Sequence, residues 1–506
     1  MHGRLDQLVQ HWAQRASTKA ALLFPDSHPS VSYGDLERRA SAFARVLQQR
    51  GIAPGTAVLL ANANTAGFFA ALFGASRAGC VAVPIDTNLA PPEIQAIAKH
   101  AGAGFAVVEP DSAAKVIAAI GAVPCVILGG DSIDGATAVD LDAPHELPAP
   151  APVDPEDLAL ILYTSGTTGV PKGVMHSHAT LLAKVSTITD WFGFDDSFRS
   201  LCLLPTHFGH GLICNCLSTL FYGGSLVLCR PFDFQLVTRL TKILEDFQVS
   251  TFSTVPAVVR TLMLVLDRRP RVTLPALRFV TCASSTLTTD DIEPFEEKLG
   301  VPLLNCYGIT ETASWTAFSP RDPARPKESV GKAFNCEIRA VDPATRQPVA
   351  AGVEGELQVK GPSVMLGYLK LPELTATVLQ DGWFSTGDIG RVDPNGHVYL
   401  MSRIKDIIIR AGLNVYPAEV DQVLLRHPGI ADAVCVGIED PLLGERVVAC
   451  VVRRPGSEVG ERDLIDHCKQ FLAPYKCPDR IRFVEEIKKT ARGKVNRANL
   501  RPLFSE

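Results

Sequence analysis

Leu36, Ala40, Phe43, Ala44 and Leu47 recur at helical spacing, and Gly51 closes the pattern, so a helix with one buried face is expected there. Short apolar runs follow at Val58–Ala61 and Val81–Pro84. Strands alternating with helices at this spacing predict parallel sheet covered by helices through the first 150 residues. Residues 143–155 (APHELPAPAPVDP) are proline-rich and read as an exposed connector. From Val341 to Tyr399 short strand patterns are separated by turn signals at Asp342-Pro343, Ala351-Gly352, Gly361-Pro362 and Asn395-Gly396, which predicts a β-rich subdomain at about 341–400. Beyond Arg403, strand and helix patterns alternate again at Ala433–Ile438, Val447–Val452, Arg462–Phe471 and Ile481–Val484. The expected class is α/β, with a large N-terminal domain over 1–403 that includes the β-rich subdomain and a small α/β domain over 404–506.

One stretch, Gly211 to Cys229, is uncharged throughout, but Asn215, Ser218, Thr219 and Gly223-Gly224 interrupt it. A buried helix, turn and strand is expected there and no membrane span. At 506 residues, with 20% charged and 46% hydrophobic positions, the chain is neither disordered nor fibrous. Lys plus Arg number 49 against 54 Asp plus Glu, with no long basic run, so nucleic acid is not an expected partner. Thirteen cysteines form no CxxC pair and no Cys/His cluster at metal-ligand spacing, which fits reduced thiols in the cytosol. The start lacks the order of a signal peptide and the end matches no anchor, so a cytoplasmic location is expected.

The chemistry concentrates in a few strings. Thr164 to Gly173 reads TSGTTGVPKG directly after the apolar run Leu158–Tyr163. In such a loop Gly166 and Gly169 let backbone approach phosphate closely, Ser165, Thr167 and Thr168 donate hydrogen bonds, and Lys172 supplies a point charge. It is not a P-loop of the Walker type, because Gly173 stands where Ser or Thr would have to follow the lysine.

TSGTTGVPKG resembles the phosphate-loop signature of the acyl-adenylate-forming superfamily, which includes acyl-CoA synthetases, luciferases of the firefly type and peptide-synthetase adenylation domains. YGITE (Tyr307–Glu311), STGD (Ser385–Asp388), SRIKDIIIRAGLNVYPAEV (Ser402–Val420) and KKTARGKVNR (Lys488–Arg497) follow in that family's order. The resemblance implies a two-step ligase using ATP, Mg²⁺ and coenzyme A. A carboxylate attacks the α-phosphorus of ATP to give acyl-AMP, and a thiol then captures the acyl group. It implies that Thr164 to Lys172 hold the β- and γ-phosphates, Thr310 contacts the α-phosphate, Glu311 helps bind Mg²⁺, Tyr307 stacks on adenine, Asp388 accepts the ribose hydroxyls and Arg403 supports ribose or phosphate. Lys494 is the implied catalytic cation. Lys405 falls at the hinge position about which the small domain would rotate, presenting the loop at Gly412 to the thiol donor. The partners implied are a small carboxylic acid and CoA. A carrier-protein phosphopantetheine is the alternative acceptor, and a non-catalytic adenylate-binding protein is the rival from another class.

The acid-binding segments implied by the same resemblance are Pro205–Leu217, Thr251–Leu262, Cys282–Leu287 and Asn305–Trp315, mostly apolar, with His207, Phe208, Ala283, Ser284, Gly308 and Trp315 as lining residues. No acidic residue lies between Leu201 and Leu228, which favours a simple fatty, aryl or alicyclic acid over an amino acid. Phe208 occupies a slot where relatives often carry histidine, flanked by His207 and His210, and His207 reads equally as pocket wall or core histidine. In CASSTL, Cys282–Leu287, the hydroxyls of Ser284, Ser285 and Thr286 read either as facing a substrate with a hydroxyl or carbonyl near its head or, as the favoured reading, as bonding locally to backbone.

Overall fold

A layer of helices lies between two sheets whose centres are parallel. The computed structural model describes residues 3–26, 28–62, 64–143, 150–164, 172–229, 234–267, 272–284, 287–489 and 495–504. Among them one sheet runs, edge to edge, Lys332–Ala333, Ser314–Phe318, Leu303–Ile309, Phe279–Cys282, Thr251–Thr254, Arg199–Cys202, Ser225–Leu228, Ala20–Leu23 and Val31–Ser32. The strands from Leu303–Ile309 to Ala20–Leu23 are mutually parallel, and antiparallel strands close both edges. The other runs Gly367–Tyr368, Lys172–Ser177, Leu158–Thr164, Val81–Pro84, Ala57–Ala61, Ala103–Val108, Cys125–Leu128 and Thr137–Val139, parallel from Leu158–Thr164 onward.

Helices Tyr33–Gln49, Ala66–Arg77 and His178–Phe192 contribute to one core cluster with residues of both sheets, such as Val58 and Leu160 on one side and Leu226 and Leu228 on the other. The face expected from the spacing of Leu36 to Leu47 is the buried one, and Ser32 with Asp35 caps the helix reciprocally. Ala66–Arg77 is apolar almost all round, as a helix enclosed on every side must be. Outer helices cover the far faces: Phe234–Asp246, Pro256–Leu266 and Thr289–Leu299 on the first sheet, Pro91–Ala101 and Pro110–Ile120 on the second.

The uncharged stretch becomes a π-helical segment His210–Leu217, a short helix Ser218–Phe221, a turn and the strand Ser225–Leu228, which is interior to the nine-stranded sheet. Its polar residues are satisfied internally: the Asn215 amide donates to the Leu201 carbonyl at 2.8 Å, and the Ser218 hydroxyl to the Ile213 carbonyl at 2.9 Å. Among the described residues no helix is long and apolar enough to cross a membrane.

The β-rich part is an antiparallel sheet of Glu337–Val341, Gly355–Lys360, Trp383–Val392, Leu379–Gln380 and Val398–Arg403. It starts at Glu337, a few residues before the change in sequence texture. Within this stretch Gly367–Tyr368 departs from the β-rich sheet and pairs with Lys172–Ser177 of the eight-stranded sheet. The chain leaves the β-rich sheet at Arg403, makes a short turn Ile404–Asp406 and enters a last sheet of Leu413–Val415, Ile408–Arg410, Gly444–Arg453, Ile430–Asp440 and Arg480–Phe483. Helices Pro417–Leu425 and Glu461–Lys469 pack on that sheet through a core of their own.

Candidate active site

The strand Leu158–Thr164 ends opposite Lys172, which opens the antiparallel return strand. Ser165, Gly166, Thr167, Thr168 and Gly169 lie outside the described residues, as do Ser285, Thr286 and Lys494. Lys172 Nζ stands 5.3 Å from the centre of the Tyr368 ring. The Tyr368 hydroxyl donates to Glu311 Oε1 at 2.7 Å, and the Met365 amide donates to the Glu311 carbonyl at 2.8 Å.

Glu311 sits in the turn Thr310–Thr312 that follows the strand Leu303–Ile309. The turn is tight: Ala313 and Ser314 both have positive φ (51° and 81°), and the chain returns antiparallel at once. A Cβ on Gly308 would stand 2.0 Å from the Ser314 carbonyl oxygen, so only glycine fits there. Behind the turn, His176 Nε2 lies 2.8 Å from the Thr310 carbonyl. Burial lowers the His176 pKa to about 4, so the ring is neutral and Nε2–H is the donor.

Across the cleft, Asp388 and Arg403 face each other on adjacent strands, with Arg403 Nε 2.8 Å from Asp388 Oδ1. The Tyr307 hydroxyl donates to Asp388 Oδ2 at 2.7 Å, and burial, with the carboxylate beside it, pushes that phenol well above its ordinary range. The loop presenting Asp388 is held from beneath: the Gly387 amide donates to Glu356 Oε1 at 3.1 Å, and Arg346 pairs with Glu356 Oε2 at 2.5 Å while donating to Ser385 Oγ at 2.6 Å. A cleft of about 450 Å³ is lined by Glu311, Tyr368, Arg346, Glu356, Ser385 and Gly387, among others. A neighbouring opening of about 280 Å³ is lined by Thr386, Gly387, Arg403, Ile404 and Lys405. YGITE, STGD and the start of SRIKD, far apart in the chain, therefore border adjoining openings. Gly412 has φ 80° at the hairpin between Ile408–Arg410 and Leu413–Val415, and no described contact ties it to the cleft.

The segments expected to hold the acid differ from expectation at Ser284. Ser284 does not bond locally: its φ is 80° and its hydroxyl lies 3.1 Å from His210 Nδ1, a partner 74 residues away. His210 Nε2 lies 2.9 Å from Ser253 Oγ, which in turn lies 2.8 Å from Thr281 Oγ1. Burial lowers the His210 pKa to about 3, so the ring is neutral, donating to one serine and accepting from the other. His210, not His207, is thus the imidazole bound to Ser284, with its ring 5.1 Å from Trp315. His207 turns to Asp86, Nε2 to Oδ2 3.6 Å, and its ring lies 4.0 Å from that of Phe208. A carboxylate from a distant segment therefore reaches the stretch that has none of its own. Ala283 is buried in an apolar cluster with Phe192, Cys214 and Trp315.

Three further residues escaped the sequence reading. Tyr368 and His176 touch the Glu311 turn, and the buried Lys184 donates to the Trp315 carbonyl. Burial lowers the Lys184 pKa to about 8. The only advance signal for Lys184 was a lysine on an otherwise apolar helix face.

The family model described as AMP-binding enzyme matches residues 9–369, and the one described as AMP-binding enzyme C-terminal domain matches 419–494. The chain belongs to the AMP-binding enzymes of the acyl-adenylate-forming superfamily. It is 32% identical over 504 residues to sulfoacetate–CoA ligase of Cupriavidus necator, covering 98% of this chain and 97% of the relative. Its fold is similar to ATP-bound MatB from Rhodopseudomonas palustris, with a TM-score of 0.88 and 28% identity over 100% of this chain and 99% of that one. It is also similar to the anthranilate CoA ligase AuaEII in complex with anthranoyl-AMP, with a TM-score of 0.90 and 25% identity over 99% of each chain. This AMP-binding enzyme is an AMP-forming acyl-CoA synthetase at the level of its family, using ATP and CoA.

Proposed function

We propose that the enzyme joins a fatty, aryl or alicyclic acid to CoA in two steps. The observation that carries this reading is the cleft lined by Glu311 and Tyr368, whose ring faces Lys172, adjoining the opening that Arg403 of the Asp388–Arg403–Tyr307 cluster borders. The acid's carboxylate oxygen attacks the α-phosphorus of ATP, the bond to the β-phosphate oxygen breaks, and pyrophosphate leaves. The CoA thiol then attacks the acyl carbon, and AMP departs with the thiol proton released to solvent.

Both partners in the first step are anions, so preorganised donors and cations at the phosphates do the work. Lys172 with the loop Thr164 to Gly169 holds the β- and γ-phosphates, and Thr310 meets the α-phosphate. His176 fixes the Thr310 carbonyl and hence the orientation of that turn. Tyr307 offers its ring to adenine. Asp388 engages Tyr307 and Arg403 through one lone pair on each oxygen and keeps further lone pairs for the ribose hydroxyls.

Glu311 Oε2 accepts from no described residue, and no cluster of three metal-ligating side chains occurs among the described residues. That donor set fits Mg²⁺, which takes one or two carboxylates and otherwise substrate phosphates. When bound, the ion neutralises phosphate charge; Glu311 would hold it. Lys494 supplies the cation for the attack, and residues 404–506 turn about Lys405 between steps, bringing the Gly412 hairpin to the thiol. Delivery to a carrier-protein phosphopantetheine uses the same arm and is the second reading.

A panel of acids from acetate through long chains to substituted benzoates, read by pyrophosphate release, tests the assignment. Because Phe208, Trp315 and Phe252 lie among apolar segments, acetate should turn over far more slowly than larger acids, each missing methylene costing about 1–3 kcal/mol. Acetate as the best acid would refute this account of the pocket. Offering CoA and a carrier protein side by side decides the acceptor.

A further inference from the structure

Tyr368 is absent from every string that marks the family in this sequence, yet it touches two residues assigned to opposite ends of the phosphate chemistry. Its hydroxyl donates to Glu311 Oε1 at 2.7 Å, and its ring faces Lys172 Nζ at 5.3 Å. Its backbone is held on both sides. Tyr368 pairs with Val174 on the strand that begins at Lys172, and its amide donates to Thr375 Oγ1 at 2.9 Å. The preceding Gly367 has φ 145°, and a Cβ there would stand 2.8 Å from Thr375 Cγ2, so no other residue fits the approach. The side chain is buried and lines the same cleft as Glu311.

We propose that Tyr368 is a positioning residue that orients Glu311 for the metal–nucleotide complex, binding one carboxylate oxygen and leaving the other to the cation. This rests on the reading of Glu311 as the metal-holding carboxylate. The hydroxyl acts on the carboxylate and the ring on Lys172, so the two contacts can be separated by substitution.

Equilibrium binding of Mg²⁺–ATP and of ATP in chelator tests this without turnover. Tyr368→Phe removes a hydrogen bond to a charged group and should weaken Mg²⁺–ATP binding about tenfold. The same variant should bind metal-free ATP as the parent does, because the ring still faces Lys172. Tyr368→Leu should also weaken metal-free ATP, roughly two- to fivefold, through the lost cation–π contact. Should Tyr368→Phe fail to fold, Thr375→Val, which loosens the Tyr368 backbone without removing the phenol, should shift Mg²⁺–ATP binding in the same direction by about threefold. Parental Mg²⁺–ATP binding in Tyr368→Phe, or equal weakening of both nucleotide forms, would overturn the proposal. Glu311→Gln separates the two layers: if it weakens Mg²⁺–ATP and Tyr368→Phe does not, the positioning role alone fails. If Glu311→Gln leaves Mg²⁺–ATP untouched, the metal assignment falls and the role of Tyr368 with it.

Discussion

The nucleotide cleft and the segments proposed to hold the acid meet at the strand Leu303–Ile309 and the turn after it, but they handle polarity differently. On the nucleotide side the charges are paired along two adjoining openings: Arg346 with Glu356, and Arg403 with Asp388. Each carboxylate is buried while its arginine is partly exposed, so the buried charge is offset by a cation that solvent and a polyanionic ligand can reach. On the acid side the two titratable groups beside Trp315 have no described carboxylate partner, and burial lowers the pKa of both. His210 is held uncharged between two serines, and Lys184 donates to a backbone carbonyl with no described carboxylate partner. A charge there costs desolvation that nothing nearby offsets. The difference lies in pairing: Arg346 and Arg403 each face a carboxylate, whereas His210 faces two serines and Lys184 a backbone carbonyl.

The comparison can be broken first at its most demanding point. If the cation that acts during attack on the α-phosphate is Lys494, Lys494→Ala should lose roughly 10²- to 10³-fold in acyl-AMP formation. Supplied with ready-made acyl-adenylate and CoA, the same variant should form thioester at close to the parent rate. Equal loss in both half-reactions would make the lysine structural and remove the rotation of residues 404–506.

Lys184 sharpens the other side. An ordinary lysine releases its proton near 10.5, whereas burial lowers Lys184 to about 8. Between those values the unfolded chain binds the proton and the folded chain does not, so stability must rise with pH from about 8 to about 10.5 and stay flat below. At about 1.4 kcal/mol per pH unit, the parent should gain about 2 to 3 kcal/mol over this window relative to Lys184→Met. Denaturant unfolding of both at pH 7.5 and at pH 10 reads the difference; parallel profiles would mean that the amine is not buried charged.

The smallest effect concerns the ribose. Asp388→Ala should discriminate about tenfold less between ATP and 2′-deoxy-ATP in kcat/KM, the worth of one hydrogen bond to a charged group. An unchanged preference would confine Asp388 to its contacts with Tyr307 and Arg403.

How far the sequence reached depended on how local each feature is. The helix Tyr33–Gln49, the strand Leu158–Thr164 and the alternation beyond Arg403 all appear where their periodicity placed them, because each buries one face against neighbours supplied by the same repeating pattern. The nucleotide strings were legible through their resemblance to the family's motifs; the structure adds that at Gly308 a close backbone approach admits only glycine. Ser284 was misread as locally bonded because its partner, His210, comes from another strand connection altogether. Tyr368 looked like part of the β-rich segment, since two residues are too few for a period-2 pattern to reveal which sheet they join.

By itself, then, the sequence determined the α/β class and the order of elements, because those follow from periodicity, and the adenylating chemistry only through the family resemblance that its contiguous strings carry. Only the tertiary structure decided that Asp388 is shared by Tyr307 and Arg403, that Tyr368 links Lys172 to Glu311, and that the acid side carries a neutral His210 with a buried Lys184 behind Trp315. Those pairings join residues tens to hundreds of positions apart. What selects them is the cost of leaving a buried polar group without a partner, which is settled only when the sheets have packed.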